Sequence, residues 1–150
     1  MSAQEMKIMA FTCTYCAYNA ADLAGSMRLQ YPHNVRIVKL LCTGKVEPIL
    51  LLEAFRYGAD AVFVAGCMEG ECHFMEGNLR ARQIVEYTKQ LLEDAGMDPR
   101  RLEMFNMSAS MAQKFVAAVR TMTDRLAELG PSPLGGSATE PPPSGANPLT

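Results

Sequence analysis

Four segments of the chain alternate between a short apolar run and a longer stretch of helical periodicity. The first apolar run spans Glu5 to Phe11, the second Val35 to Leu41, the third Ala61 to Ala65 and the fourth Leu102 to Met107. The third, Ala-Val-Phe-Val-Ala between Asp60 and Gly66, is wholly apolar, as a strand covered on both faces of a parallel sheet has to be. Each run precedes a predicted helix. Tyr15 to Leu29 places Ala20, Leu23, Ala24 and Met27 at helical spacing. Val46 to Phe55 has Pro48 near its start and Gly58 past its end, the usual asymmetry of helix termini. Asn78 to Ala95 stops at Gly96. Ser108 to Leu129 carries Phe115, Val119, Met122, Leu126 and Leu129 as one apolar stripe and ends at Gly130-Pro131.

Strands alternating with helices predict an α/β fold with a small parallel sheet of about four strands flanked by helices, flavodoxin/Rossmann-like. Right-handed crossovers restrict the topology, and the strand order 2-1-3-4 is favoured. From about Pro131 the composition turns to Pro, Ser, Gly and Thr, which cannot bury enough apolar surface to offset its ordering entropy. The expected organisation is one α/β domain over residues 1–131 and a disordered Pro-rich tail over residues 132–150.

Composition narrows the function classes. The 150 residues carry a net charge of −2, which gives no sign of nucleic-acid binding. No apolar run is long enough to span a membrane, and the first residues lack the pattern of a secretory signal. The expectation is a cytoplasmic protein with no nucleic-acid or membrane partner. In a reducing compartment, clustered cysteines point to metal binding or catalysis rather than disulfides, and the odd count of 5 argues against complete pairing.

The cysteines sit where the predicted strands end. Cys13 follows the first strand, Cys42 the second and Cys67 the third, with Cys16 one helical turn after Cys13 and Cys72 in the loop after Cys67. In a parallel sheet those ends share one edge, the edge at which open α/β folds bind ligands. Four thiolates are what a 2Fe-2S or 4Fe-4S cluster requires. Thr43-Gly44, Gly66 and Gly70 let the backbone approach closely, and the N–H groups of such loops and of helix N-termini favour an anionic cluster. Five thiols exceed four coordination sites, and the sequence does not say which is spare. Three other readings stand beside the cluster: buried core cysteines, a thioredoxin-like dithiol at Cys13 and Cys16, and a zinc-stabilised interaction module.

The motifs Phe11-Thr-Cys-Thr-Tyr-Cys-Ala-Tyr-Asn-Ala-Ala-Asp-Leu-Ala-Gly25, Leu41-Cys-Thr-Gly-Lys45, Gly58-Ala-Asp60, Gly66-Cys-Met-Glu-Gly-Glu-Cys-His73 and Glu76-Gly-Asn78 resemble those of the delta, or iron–sulfur, subunit of methyl-viologen-reducing hydrogenase. The resemblance runs from about Met6 to Pro133. It implies a 2Fe-2S electron-transfer subunit with Cys13, Cys16, Cys42, Cys67 and Cys72 as the motif cysteines, four of them ligands. It further implies as partners the flavin subunit of a heterodisulfide reductase and a hydrogenase or formate dehydrogenase-type electron donor, in complexes that serve electron bifurcation in anaerobes. Such a chain relays electrons rather than catalysing a reaction alone. Two departures from the family pattern are Met68-Glu69, where His-Pro is common, and Ser110-Met111-Ala112, where an acidic residue and a glycine are common.

Other residues carry competing readings. His73 suits a hydrogen bond to a cluster sulfur or to backbone, and His33 a surface turn. Asp22 and Asn78 suit capping or orienting backbone rather than chemistry. Lys45, Arg80 and Arg82 suit either a docking site for an acidic partner or a solvated rim. The methionines on apolar faces read as core filling.

Overall fold

The computed structural model describes residues 6–13, 17–26, 35–40, 46–66 and 77–133. Four strands alternate with four helices: β1 (Ile8–Cys13), α1 (Ala17–Ser26), β2 (Val35–Leu40), α2 (Pro48–Arg56), β3 (Ala61–Gly66), α3 (Gly77–Asp94), β4 (Leu102–Asn106) and α4 (Ala112–Leu129). All neighbouring strands run parallel in the order β2-β1-β3-β4, the order favoured from the sequence. The expected α/β architecture is therefore the observed one.

Alternation along the strands sorts side chains into two cores. On one face, Ile8, Ala10, Phe63 and Ala65 pack with α1 and α4. On the other, Phe11, Val62, Val64, Leu102 and Met104 pack with α2 and α3. Every residue of β3 is buried, as its apolar sequence requires. Phe63 is the hinge of the first core, edge-on to Phe105 at 5.6 Å and tilted against Phe115 at 6.2 Å between ring centres. The α4 stripe lies where its spacing predicts, with Phe115, Val119, Met122 and Leu126 fully enclosed. It meets Ala17, Ala20, Ala21 and Ala24 of α1, whose small side chains let the two helices approach closely. Met6, Met97, Met104, Met107 and Met122 are buried, in agreement with a filling role.

Boundaries differ from expectation by a few residues. β1 begins at Ile8 rather than Glu5 and runs on to Cys13, because its pairing with β2 extends to Cys13↔Leu40. The fourth helix begins at Ala112 rather than Ser108, since residues 109 and 110 form a turn. Chain after Pro133 lies outside the described residues.

The chain also closes at the amino edge of the sheet. Asp60, just before β3, accepts the Lys7 N–H at 2.8 Å with one carboxylate oxygen and the Ser132 N–H at 2.8 Å with the other. Arg101, just before β4, is 4% exposed. Its guanidinium donates to the carbonyls of Asp60 (3.1 Å), Gly130 (2.9 Å), Leu129 (3.2 Å) and Pro131 (3.2 Å). Helices leave their last carbonyls without intrahelical partners, and here one cation takes the Leu129 carbonyl and the two that follow it. Gly130 turns the chain out of α4 with φ +75°, a conformation that favours glycine. Pro131 and Ser132 are thus held against the domain.

Candidate metal centre at the carboxyl edge

The opposite edge is where the strands finish. The last residues of β1 and β2, Cys13 and Leu40, are partners in register. The pairing of β1 with β3 reaches Thr12↔Ala65, one step short of Cys13 and Gly66. Gly66, the last residue of β3, pairs with Asn106, the last residue of β4. All four strands therefore stop at one level. Along the chain, Cys42 comes two residues after Leu40 and Cys67 directly after Gly66.

Cys13 is the last residue of β1 rather than the first beyond it, and it is 1% exposed. The preceding Thr12 is fully buried and its hydroxyl donates to the Val38 carbonyl at 3.1 Å, which fixes the end of β1 against β2. Cys16, Cys42, Cys67, Cys72, His73, Lys45 and His33 lie outside the described residues. Among the described residues, no group of three or more His, Cys, Asp or Glu side chains is arranged to hold a metal. The donor chemistry at this edge is a buried thiol beside the start of α1, with α2, α3 and α4 also opening from this edge. Partial positive charge at helix N-termini suits a thiolate-ligated anionic group.

Two arginines that look alike in the sequence separate here. Arg80, in the first turns of α3, is exposed and pairs with Glu47 at 3.2 Å. Arg82 is half-buried and turned inward, where it donates to the Asn106 side chain at the end of β4. Asp22 does not cap a helix: it is an exposed mid-helix residue of α1, beside a shallow concavity of about 480 Å³ lined with Tyr18, Ala21, Gly25 and Ile37. Asn78 is the second residue of α3. The Asp60–Arg101 clamp is not among the sequence expectations. Its one local signal is a charged residue at the mouth of each of two apolar strands.

Residues 8–130 match the family described as "Methyl-viologen-reducing hydrogenase, delta subunit". The chain belongs to that family. Among relatives of this delta-type chain, the vhu iron-sulfur subunit of the F420-non-reducing hydrogenase of Methanocaldococcus jannaschii is 53% identical over 127 residues, covering 85% of this chain and 95% of the relative. The F420-non-reducing hydrogenase iron-sulfur subunit of Archaeoglobus profundus is 39% identical over 127 residues, covering 85% and 93%. A third relative differs in kind. The A-type polypeptide of the ferredoxin/F(420)H(2)-dependent CoB-CoM heterodisulfide reductase of Methanosarcina acetivorans is 39% identical over 124 residues, which are 83% of this chain but 16% of that protein. The matching region there is one part of a much larger polypeptide. No described helix of the present chain is long and apolar enough to cross a membrane.

Proposed function

We propose that this chain is a cytoplasmic electron-transfer subunit that holds one 2Fe-2S cluster at the carboxyl edge of its sheet. Electrons would pass between a hydrogenase or formate dehydrogenase-type donor and the flavin subunit of a heterodisulfide reductase. The observation that carries the reading is the common level of the strand ends. Cys13 closes β1 there, and Cys42 and Cys67 follow β2 and β3 by two residues and one. Consecutive Cα atoms are about 3.8 Å apart, and this short reach supports counting both cysteines at that edge. Cys16 and Cys72 complete the candidate ligand set, from which four are drawn.

The chain's own part is to supply thiolates, enclose them and present helix N-termini to the negative charge. When bound, a 2Fe-2S cluster supplies one-electron uptake and release. Relatives named iron–sulfur subunits support the cofactor class. The relatives named as hydrogenase subunits support a hydrogenase as donor. The domain's presence within heterodisulfide reductase A-type polypeptides supports that kind of polypeptide as the other partner. Burial of Cys13 speaks against the dithiol oxidoreductase, because attacking cysteines sit in partly exposed settings.

The test is anaerobic reconstitution with iron and sulfide, followed by metal analysis and electron paramagnetic resonance after reduction. Two irons, two sulfides and a signal from a single reduced cluster are expected per chain. Four irons per chain would replace the 2Fe-2S assignment with a 4Fe-4S one. A colourless protein with stoichiometric zinc would replace the electron carrier with a zinc module.

A further inference from the structure

We infer that Lys39, held over the ring of Tyr18, raises the reduction potential of the proposed cluster, with Tyr18 as the residue that positions it; this rests on the cluster reading above. The Lys39 ammonium lies 4.6 Å from the centre of the Tyr18 ring, within the distance at which an aromatic quadrupole attracts a cation. Tyr18 is half-buried and Lys39 is exposed. Among the described residues no carboxylate pairs with Lys39, so there the ring, and not a counter-ion, is what holds it. A lysine carries its charge on a flexible four-carbon stem. The ring confines that charge to one place at the end of β2.

That place lies beside the proposed site. Tyr18 is the second residue of α1 and comes two positions after Cys16. Lys39 is the fifth of the six residues of β2 and comes three positions before Cys42. Register sets Lys39 opposite Thr12, the residue before the buried Cys13, one strand spacing of about 4.8 Å away. Side chains alternate along a strand, so Thr12 and Lys39 continue the face on which Ala10 and Ile37 pack with α1. Tyr18 and Ile37 line the same shallow concavity, which places the first turn of α1 over β2. The Thr12 hydroxyl, bonded to the Val38 carbonyl at 3.1 Å, ties β1 to β2 at this level. The ammonium is thus fixed on the α1 side of the strand ends. Reduction adds negative charge to a thiolate-ligated cluster, and a cation within a Debye length, about 8 Å at physiological salt, favours the reduced form.

The experiment is a potentiometric titration of the reconstituted chain at low salt, followed by electron paramagnetic resonance, across a charge series at position 39. Lys39→Gln is expected to lower the ratio of reduced to oxidised cluster at a fixed potential about threefold, a midpoint about 28 mV lower at 59 mV per tenfold. Lys39→Glu, which changes the charge by two, should lower it about ninefold on the same scale. Lys39→Arg keeps the charge and the stacking and should match wild type. Iron content and circular dichroism should not change in any of the three. Tyr18→Phe keeps the ring and the wild-type ratio, whereas Tyr18→Leu frees the ammonium and loses part of the effect. In a chain already carrying Lys39→Gln, Tyr18→Leu should add nothing, the non-additivity of a residue that acts through another. An equal shift in both backgrounds overturns the positioning role of Tyr18. Should Tyr18→Leu fold poorly, Tyr18→Met takes its place. A potential that does not follow the charge at position 39 overturns the inference, leaves the cluster reading intact and makes Lys39 a guard of the edge strand. Loaded wild type that takes up no iron sinks the cluster reading and this inference with it.

Discussion

The two edges of the sheet handle charge in opposite ways. At the amino edge, Arg101 is buried and its two terminal nitrogens donate to four backbone carbonyls, with Asp60 alongside. Burial lowers the Arg101 guanidinium from its ordinary value, while Asp60 and Asp98 pull it back up. At the carboxyl edge, Arg82 meets the neutral side chain of Asn106. One cation is consumed in closing the fold; the other is held at the end of β4, its partner among the described residues being an uncharged amide. The contrast separates the closure of the fold from the proposed redox site, at opposite poles, so substitutions at one pole should leave the other's readout alone.

The strongest way to break that contrast is at Cys13. Cys13→Ser is expected to abolish stoichiometric iron binding and the reduced-state paramagnetic signal. The stability of the cluster-free chain should change by less than about 2 kcal/mol, the scale for a buried hydroxyl. Iron retained in full would remove Cys13 from the ligand set and leave the other four cysteines to hold the cluster.

The converse substitution is Asp60→Ala. It removes the acceptor of two backbone N–H groups, those of Lys7 and Ser132. Leaving such donors unsatisfied costs about 1–3 kcal/mol each, and a chain of this size should melt at least about 5 °C lower. Iron content at low temperature should match wild type. A melting point within a degree or two of wild type would show that the clamp is not what holds the two chain ends.

Why is the carboxyl edge legible in the sequence and the amino edge not? Strand ends are marked locally: apolar runs stop, and Cys42 and Cys67 follow at once. With a parallel sheet, that spacing alone predicts one shared edge. The parallel arrangement itself is signalled by β3, whose residues are buried on both faces. The clamp is non-local. Ser132 and Asp60 are 72 residues apart, and a lone Asp before a strand reads as a turn residue until tertiary structure supplies its partners. Arg82 and Arg80 are equally opaque, two positions apart on one helix, and only the packing of α3 against β4 turns one inward. The end of the first strand is hidden for a related reason: its apolar run looks complete at Phe11, whereas register with β2 carries pairing to Cys13.

A finer test of the contrast is Arg82→Gln, which keeps a donor for Asn106 and removes the charge. Cys13 and Asn106 end strands that flank β3, about 10 Å apart at ordinary strand spacing. A unit charge at that distance and an effective dielectric near 20 is worth about 1.5 kcal/mol, or about 60 mV for a one-electron couple. A cation favours the reduced, more negative form, so the variant's midpoint potential should fall, by up to that amount before salt screening. A potentiometric titration followed by paramagnetic resonance reads the shift. An unchanged potential would mean that Arg82 serves only to tie α3 to β4.

The smallest effect expected lies between the poles, at Glu103 on the outer strand β4. Lys89 of α3 reaches both carboxylate oxygens at 3.2 Å and Arg125 of α4 reaches Oε2 at 3.1 Å, so the side chain staples both helix layers across the edge of the sheet. Burial pushes this carboxyl up, but the Met104 N–H, Lys89 and Arg125 together outweigh it and hold it below its ordinary value of 4.5. A carboxyl depressed on folding contributes stability that is present above its unfolded value and is lost as pH falls through the folded one. Glu103→Gln keeps an acceptor for the Met104 N–H and deletes the charge. The variant should be less stable than wild type by roughly 0.5–1 kcal/mol near neutral pH, the upper part of the range for a partly exposed ion pair. That gap should close as pH drops below about 4.5. Urea melts of both proteins at a series of pH values measure it. A gap that stays constant into acid would assign the loss to packing rather than charge, and a shift in the cluster's potential in this variant would blur the separation of the two poles.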